Sequence, residues 1–350
     1  MTVRASIIIP THNRAETLRL AVRSALAQSV TELEVLIVGD GVSESVRSEA
    51  LALCAANPRI RFFDHEKGPH HGEIYRHDAV MDACSDAIFY LCDDDLLLKD
   101  HVADLLDLLE HHNFVQSLNG SIKPTGTMDF YAADLSRPET ILWHLRDDIR
   151  FNAVSITGTA HSRAFYLQVD DPWSTTPAGY WPDHHQWRKF FRHPNLLAAT
   201  SARMTALQFP TTEDGRETWT EGERLTEMRG WANVVAAPDA QERIDALVAV
   251  SMWSRIERDS HGVVKLNLEI ARFGQENASL GQEVAELHLE IARFRQENAS
   301  LGQEVARLSD VAQLATTQAE QSRTLLVETR RTLSWRITKP LRAVRRLMPR

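Results

Sequence analysis

Three consecutive aspartates, Asp93, Asp94 and Asp95, follow a short apolar run at 87–91 and the intervening Cys92. Adjacent carboxylates repel one another, so gathering them at a strand end is costly unless a cation or hydrogen-bond donors offset the charge. Hard oxygen ligands suit magnesium or manganese, and such an ion takes one or two protein carboxylates and completes its shell with phosphate oxygens. A metal-bound diphosphate is the ligand this tripeptide points to; the plainer alternative is a solvated loop ahead of a helix starting near Asp100. Two other strand ends carry polar groups, Pro10, Thr11, His12, Asn13 and Arg14 after the first and Gly39, Asp40 and Gly41 after the second. Asp40 with Gly41 would, by itself, be an ordinary turn. His70 and His71 are neighbours that rarely point at one ion, and no third ligand is spaced to help them, so they read as loop residues.

These groups need a scaffold that brings strand ends together. The first hundred residues alternate β-branched apolar runs at 6–10, 34–38, 61–63 and 87–91 with helical patterns at 15–28, 43–55 and 72–84. That alternation is the signature of βαβ units around a mainly parallel sheet flanked by helices. Ligands of such sheets bind outside the carboxyl ends of the strands, where the polar groups lie. From 114 to 209 the pattern turns irregular and aromatic, with Trp143, Trp173, Trp181 and Trp187, and the alternation over 152–159 predicts a further strand. Trp181 and Trp187 could stack on a sugar, although tryptophans in such a stretch more often fill the core. Residues 211–235 are polar with scattered Gly and Thr, which predicts a mobile loop or lid before a helix at 241–258.

After Gly262 a near-exact repeat with a 21-residue period begins, LEIARFGQENASLGQEVAELH from Leu268 and LEIARFRQENASLGQEVARL from Leu289. Ile270, Asn277, Val284, Ile291, Asn298 and Val305 fall at position a, and Phe273, Leu280, Leu287, Phe294, Leu301 and Leu308 at position d, which predicts a coiled coil. Paired asparagines in the seam favour a parallel homodimer in one register. The g-position glutamates from Glu269 to Glu304 find mostly Gly, His or Ser at the facing e positions, with Arg295 the exception, so a basic heteromeric partner is the other option. The tail from Arg330 to Arg350 holds eight basic and no acidic residues, with Leu333, Ile337, Leu341, Val344 and Met348 at helical spacing. Such a segment suits an anionic membrane surface, with docking on an acidic partner as the alternative.

Composition narrows the field. A chain of 350 residues carrying a formal charge of -9 lacks the broad basic face that general nucleic-acid binding needs. Cys54, Cys84 and Cys92 have no paired spacing, which fits a reducing compartment. The amino-terminal stretch does not read as a secretion signal, and no apolar run is long enough to span a bilayer, so a cytoplasmic protein, peripheral on the inner face of the plasma membrane, is expected.

The segments SIIIPTHNRAETLRLAVRSALAQS, LEVLIVGDG and IFYLCDDDLLLKDHV resemble the N-terminal half of family 2 glycosyltransferases, well over about 3–110 and more thinly to about 210. The resemblance implies a GT-A fold, a sugar nucleotide donor with UDP-sugars favoured, a divalent cation and inversion at the anomeric carbon. It implies that Pro10, Thr11 and Asp40 hold the nucleoside, with Asn13 and Arg14 beside them, and that Arg76 matches the arginine of the helix before the acidic motif. Asp93 then sits near ribose and diphosphate, with Asp94 or Asp95 on the metal and Asp94 also near the donor. Many members write the motif Asp-x-Asp-Asp, and Cys92 here replaces the first aspartate; the usual Arg-Asn of the preceding helix reads Arg76, His77. An inverting transfer needs a base for the acceptor hydroxyl. By resemblance this is Asp183 in GYWPDHHQWRKFF, although an aspartate there also suits a helix cap. His161 and Arg163 in GTAHSRAFY resemble a strand edge lining the donor site, and SWRITKPLR resembles C-termini of surface-polysaccharide transferases.

The expected organisation is a GT-A domain at 1–212, a lid or linker and helix at 213–261, a coiled coil at 262–326 and a basic amphipathic tail at 327–350. The expected reaction moves a sugar to a glycan or lipid-linked acceptor in surface polysaccharide synthesis. Two other classes compete. A sugar nucleotidyltransferase would open with a Gly-rich basic loop after strand one, which PTHNR is not; an inactive scaffold acting through its coiled coil would be favoured by loss of Asp94, Asp95 or Asp183, all of which are present.

Overall fold

The computed structural model describes residues 2–149, 151–211 and 215–276, together with 309, 313 and 316–329. Two compact units divide at Arg258 and Asp259. The first unit opens with β1 (Ala5–Thr11), α1 (Ala15–Leu26), β2 (Leu33–Asp40), α2 (Glu44–Ala56) and β3 (Ile60–His65). A short 3-10 turn at Glu73–Tyr75 leads into α3 (Arg76–Asp82), followed by β4 (Ala87–Tyr90), β5 (Leu96–Leu97) and α4 (His101–Leu109). Then come β6 (Phe114–Gln116), the hairpin β7 (Asn119–Ile122) and β8 (Met128–Tyr131), α5 (Pro138–Leu145), β9 (Thr159–Ser162), α6 (Arg163–Tyr166) and α7 (Pro182–Phe191). The remaining elements are β10 (Ala198–Thr200), β11 (Ala206–Leu207), a 3-10 turn at Arg216–Thr218, α8 (Glu221–Val235) and α9 (Ala240–Glu276).

The main sheet runs β10-β6-β9-β4-β1-β2-β3, parallel at β1 with β2, β1 with β4, β2 with β3 and β6 with β10. Strand β9 is antiparallel to both its neighbours, β4 and β6. The register pairs Thr11 with Gly39 and Ile8 with Tyr90, so the chain leaves β1, β2 and β4 along one edge of the sheet. Parallel strands are covered on both faces and therefore run continuously apolar. Alternate residues of β1 accordingly enter different cores: Ile7 and Ile9 pack with Leu18, Val22, Val35 and Val46, while Ile8 packs with Leu36, Val80, Tyr90 and Trp187. This is the mixed, mainly parallel sheet flanked by helices that the sequence predicts.

Two local expectations change. The strand expected at 152–159 is β9, shifted to Thr159–Ser162. Local side-chain bonds hold 152–158 instead: Asn152 Oδ1 accepts from the Val154 N–H at 3.1 Å, Ser155 Oγ donates to the Thr157 carbonyl at 2.7 Å, and Thr159 Oγ1 donates to the Ser155 carbonyl at 2.7 Å. Such side-chain bonds offer the backbone an alternative to a sheet ladder. The loop or lid expected over 211–235 contains α8, whose N-terminus is closed by a reciprocal capping box between Thr220 and Glu223. Leu225, Met228, Trp231, Ala232 and Val235 face the core, a helical spacing that the polar residues between them obscure.

The helix expected at 241–258 is the first part of α9. In the second unit, residues 259–276 and 316–329 are helical, while most of the expected coiled coil at 262–326, with its dimer seam, and most of the tail at 327–350 lie outside the described residues. No helix among the described residues is long and apolar enough to cross a membrane.

Candidate active site

The site begins where β1 and β4 end side by side. Thr11 Oγ1 donates to Asp93 Oδ2 at 2.8 Å, and Arg14, immediately before α1, reaches Asp93 Oδ1 at 3.4 Å and also pairs with Asp94. Asp95 turns the other way, accepting from the Thr157 hydroxyl at 2.5 Å and the Phe209 N–H at 3.0 Å. The same Thr157 oxygen accepts from the Cys92 N–H at 2.8 Å, so one hydroxyl fixes both ends of the turn. Thr157 therefore has a role that sequence reasoning missed; its only sequence signal is a hydroxyl residue just before Gly158.

Burial is the main cause that pushes Asp93 up to about 7 and Asp95 up to about 8, and repulsion from Asp94 adds to it in both. Asp94 is also raised by burial, against the opposing pull of Arg14. Burial, then the carboxylates, holds the Cys92 thiol well above its ordinary value. The Cys92 sulfur and one carboxylate oxygen each from Asp94 and Asp95 lie within 4.8 Å of one another. Closely gathered carboxylates are the donors a hard divalent ion takes, so this group fits such an ion.

At the end of β2, Asp40 is buried and its carboxylate accepts from Lys67 Nζ at 2.6 Å and from the Gly68 N–H at 2.7 Å. The turn reading holds here, since Gly41 takes the left-handed backbone of a turn at φ 57°. A Cβ at Gly72 would stand 2.2 Å from Asp40 Cγ, so the loop closes on the carboxylate only as glycine. His12 Nδ1 lies 2.6 Å from the Asp40 carbonyl oxygen and ties the β1 and β2 ends together. Asn13 is exposed beside them and Pro10 ends the apolar part of β1. Lys67 was not singled out from sequence; a lysine flanked by Gly68 is a faint signal.

Arg76 opens α3 and is 6 % exposed, with its guanidinium 4.5 Å over the Trp173 ring. Its Nε and Nη1 find no acceptor among the described residues. Burial lowers its pKa, while Cys92, Glu73, Tyr90 and Asp183 face it and raise it. Trp173 itself sits at φ 41°, a backbone conformation strained for a tryptophan, and donates Nε1 to Tyr90 Oη at 2.7 Å.

Asp183 is the second residue of α7, after Pro182, and the helix cap is Trp181. Its Oδ1 accepts from the His184 N–H at 2.7 Å and its Oδ2 from Asn152 Nδ2 at 3.1 Å. Burial raises its pKa, opposed by these hydrogen bonds and by the Arg76 charge. It lines an open cavity of about 390 Å³ shared by β7, β8, Phe151, Asn152 and Trp181.

Two expected donor-site residues lie elsewhere. His161 is fully buried in the aromatic core, stacked on Tyr166, with Nε2 2.9 Å from Tyr90 Oη and burial holding its imidazole down to about 4. An inward-facing β9 position sandwiched between two strands leaves it no surface. Arg163 follows β9 at the opposite end of β4, where its Nη1 donates to the Ala83 carbonyl and its N–H to the Asp86 carbonyl, each at 2.6 Å. Because β9 runs antiparallel to β4, the residue after β9 falls beside the start of β4 rather than its carboxyl end. Of the tryptophans, Trp187 is core at 0 % exposure and Trp181 is exposed.

Residues 6–166 match the family model described as glycosyl transferase family 2. An uncharacterized glycosyltransferase of Rickettsia conorii is 34% identical over 116 residues, which are 33% of this chain and 18% of that protein. The GalNAc(5)-diNAcBac-PP-undecaprenol beta-1,3-glucosyltransferase of Campylobacter jejuni is 27% identical over 106 residues, 29% of this chain and 33% of that protein. The chain thus spans a third or less of these relatives' length. Among solved structures, S. aureus TarS 1-349 in complex with UDP-GlcNAc is 15% identical with a TM-score of 0.47, covering 71% of each chain. Residues 6–166, a little under half of the chain, thus carry a domain similar to glycosyl transferase family 2.

Proposed function

We propose that this chain is an inverting glycosyltransferase that moves a sugar from a nucleoside diphosphate sugar, with UDP-sugars favoured, to a hydroxyl of a glycan or lipid-linked acceptor. The observation that carries the reading is the acidic turn at Asp93, Asp94 and Asp95 together with the buried Arg76, which faces both Cys92 at the start of that turn and the Asp183 carboxylate and whose Nε and Nη1 lack an acceptor among the described residues. Buried guanidinium N–H groups without an acceptor are costly and suit an anion that arrives with the substrate.

In this reading Asp40, Thr11 and Pro10 receive the nucleoside at the β1 and β2 ends, and Arg14 and Arg76 face the diphosphate. A divalent ion, manganese or magnesium, held by Asp94 and Asp95 would neutralise charge on the departing diphosphate. The acceptor oxygen attacks the anomeric carbon as the bond from that carbon to the diphosphate oxygen breaks. The acceptor's proton passes to Asp183, whose raised affinity for protons suits a general base. Attack from the face opposite the leaving group inverts the anomeric configuration.

A role in surface polysaccharide synthesis, on a lipid-linked acceptor, agrees with the name of the Campylobacter relative and with the basic amphipathic sequence of 327–350. Peripheral attachment at an anionic inner membrane through that tail, and a parallel dimer through the heptads, belong to the same proposal.

The experiment is proton NMR of the anomeric signal during turnover of a panel of nucleotide sugars with manganese. A product of inverted configuration from one donor class, absent with Asp183→Asn, is expected. Retained configuration, or equal turnover by the variant, contradicts the assignment.

A further inference from the structure

The cavity beside Asp183 has a chemical character of its own. Its volume is about 390 Å³, room for one or two sugar rings. Two of its walls are aromatic and exposed, Trp181 at 48 % and Tyr131 at 47 %. Flat apolar faces with a polar rim are what the C–H faces of a sugar ring stack on.

The polar part of the wall consists of carboxamides and hydroxyls. Gln208 Nε2 donates to Asn119 Oδ1 at 2.6 Å, Ser155 Oγ lies 3.3 Å from the same oxygen, and Asn119 Nδ2 donates to the Ala153 carbonyl at 2.9 Å. Asn152 bridges this set to Asp183 at 3.1 Å. These contacts lock the amide orientations, and a fixed amide array matches sugar hydroxyls and N-acetyl groups. Among the described residues lining the cavity there is no lysine, arginine or histidine, and Asp183 is the only carboxylate. An anionic group placed here would meet the Asp183 carboxylate with no cation on the cavity wall to pair with.

Resting on the transferase reading above, we propose that this cavity is the acceptor subsite and that it selects an uncharged sugar ring stacked on Trp181 and Tyr131. Any phosphate or uronate of the acceptor stays outside it. Trp181 is then a specificity-determining residue; it caps α7 without a side-chain cap bond, and its ring meets His184 of that helix with centroids 6.3 Å apart.

The test separates the two halves of the site. Saturation-transfer NMR on the full chain uses methyl β-glycosides of neutral hexoses and N-acetylhexosamines, with methyl β-glucuronide as the anionic counterpart, while donor hydrolysis to water is followed in parallel. Neutral glycosides bind the wild type, Trp181→Ala weakens them by roughly tenfold, Trp181→Phe restores most of the loss, and the glucuronide does not bind. Donor hydrolysis is the same in all three proteins. Equal binding of the glucuronide, or neutral glycosides indifferent to Trp181→Ala, overturns the proposal. If the neutral glycosides bind through Trp181 but no nucleotide sugar is hydrolysed, the sugar site stands and the transferase reading fails.

Discussion

The Arg76 guanidinium lies 4.5 Å above the Trp173 ring, supported from beneath by an aromatic face yet with Nε and Nη1 lacking any acceptor among the described residues. Trp173 is held for this role by its N–H to Gln186 Oε1 at 2.7 Å and its indole N–H to Tyr90 Oη at 2.7 Å, at a backbone angle that tryptophan seldom adopts. Strain and an unsatisfied buried charge at one place are the marks of a site organised for a ligand.

Replacing Arg76 therefore separates stability from binding. Arg76→Met removes a buried charge whose Nε and Nη1 lack an acceptor among the described residues, and is expected to raise the unfolding midpoint of the ligand-free protein. It also removes charge-assisted bonds to a diphosphate, each worth about 1.5–3 kcal/mol, so nucleotide affinity falls at least about tenfold. Thermal melts and calorimetric titration of the same preparations check both; a variant that binds nucleotide as tightly as wild type would count against Arg76 as a donor residue.

Asp183→Asn keeps the shape of the side chain and loses its ability to take a proton. Turnover is expected to fall by about 10²–10⁴-fold with donor affinity unchanged, the usual contribution of a general base. Steady-state kinetics beside nucleotide titration distinguish this from a folding defect, because Asp183 lies in the first turn of α7 but does not cap it.

Thr157→Val removes the hydroxyl that bonds both Asp95 and the Cys92 N–H. The acidic turn then loses its anchor, and turnover is expected to need a higher manganese concentration while its rate at saturating manganese is largely kept. Titrating activity with manganese reads the shift directly.

Buried histidines give the stability a pH dependence with a defined sign. Burial holds the His101 imidazole down to about 3 from an ordinary 6.5, packed against Phe89 and bonded through Nδ1 to Thr205. Its contribution is complete above the unfolded value and is lost as the pH falls through 6.5 toward 3, because only the unfolded chain takes up the proton. At about pH 5 that one side chain costs ~2 kcal/mol relative to about pH 7.5. Urea unfolding at the two pH values should show His101→Gln losing less stability than wild type by that amount.

The first hundred residues were legible because each strand is a continuous apolar run and each helix shows its own period, so β1, β2, β4 and the polar groups at their ends fall into place by pattern alone. Legibility failed where pairing decides the outcome. Nothing local marks β9 as antiparallel, yet that reversal sends Arg163 to the far end of the sheet and His161 into its interior. Helix α8 was hidden by its polar residues, although Thr220 and Glu223 spell its cap. Thr157, Trp173 and Asn152 act on groups far away in sequence, Asp95, Arg76 and Asp183 respectively, and no spacing rule reaches so far. Trp181 and Trp187 are six residues apart on or beside one helix, and only the packing separates the exposed ring from the buried one.

The central claim is a diphosphate site assembled from the acidic turn and Arg76. Calorimetric titration with UDP, with and without manganese, on wild type and Asp94→Ala tests it most directly. Tight binding that depends on manganese and is lost in Asp94→Ala is the predicted result; folded wild-type protein that binds UDP equally well without manganese, or not at all alongside GDP, dTDP and CDP, would contradict it.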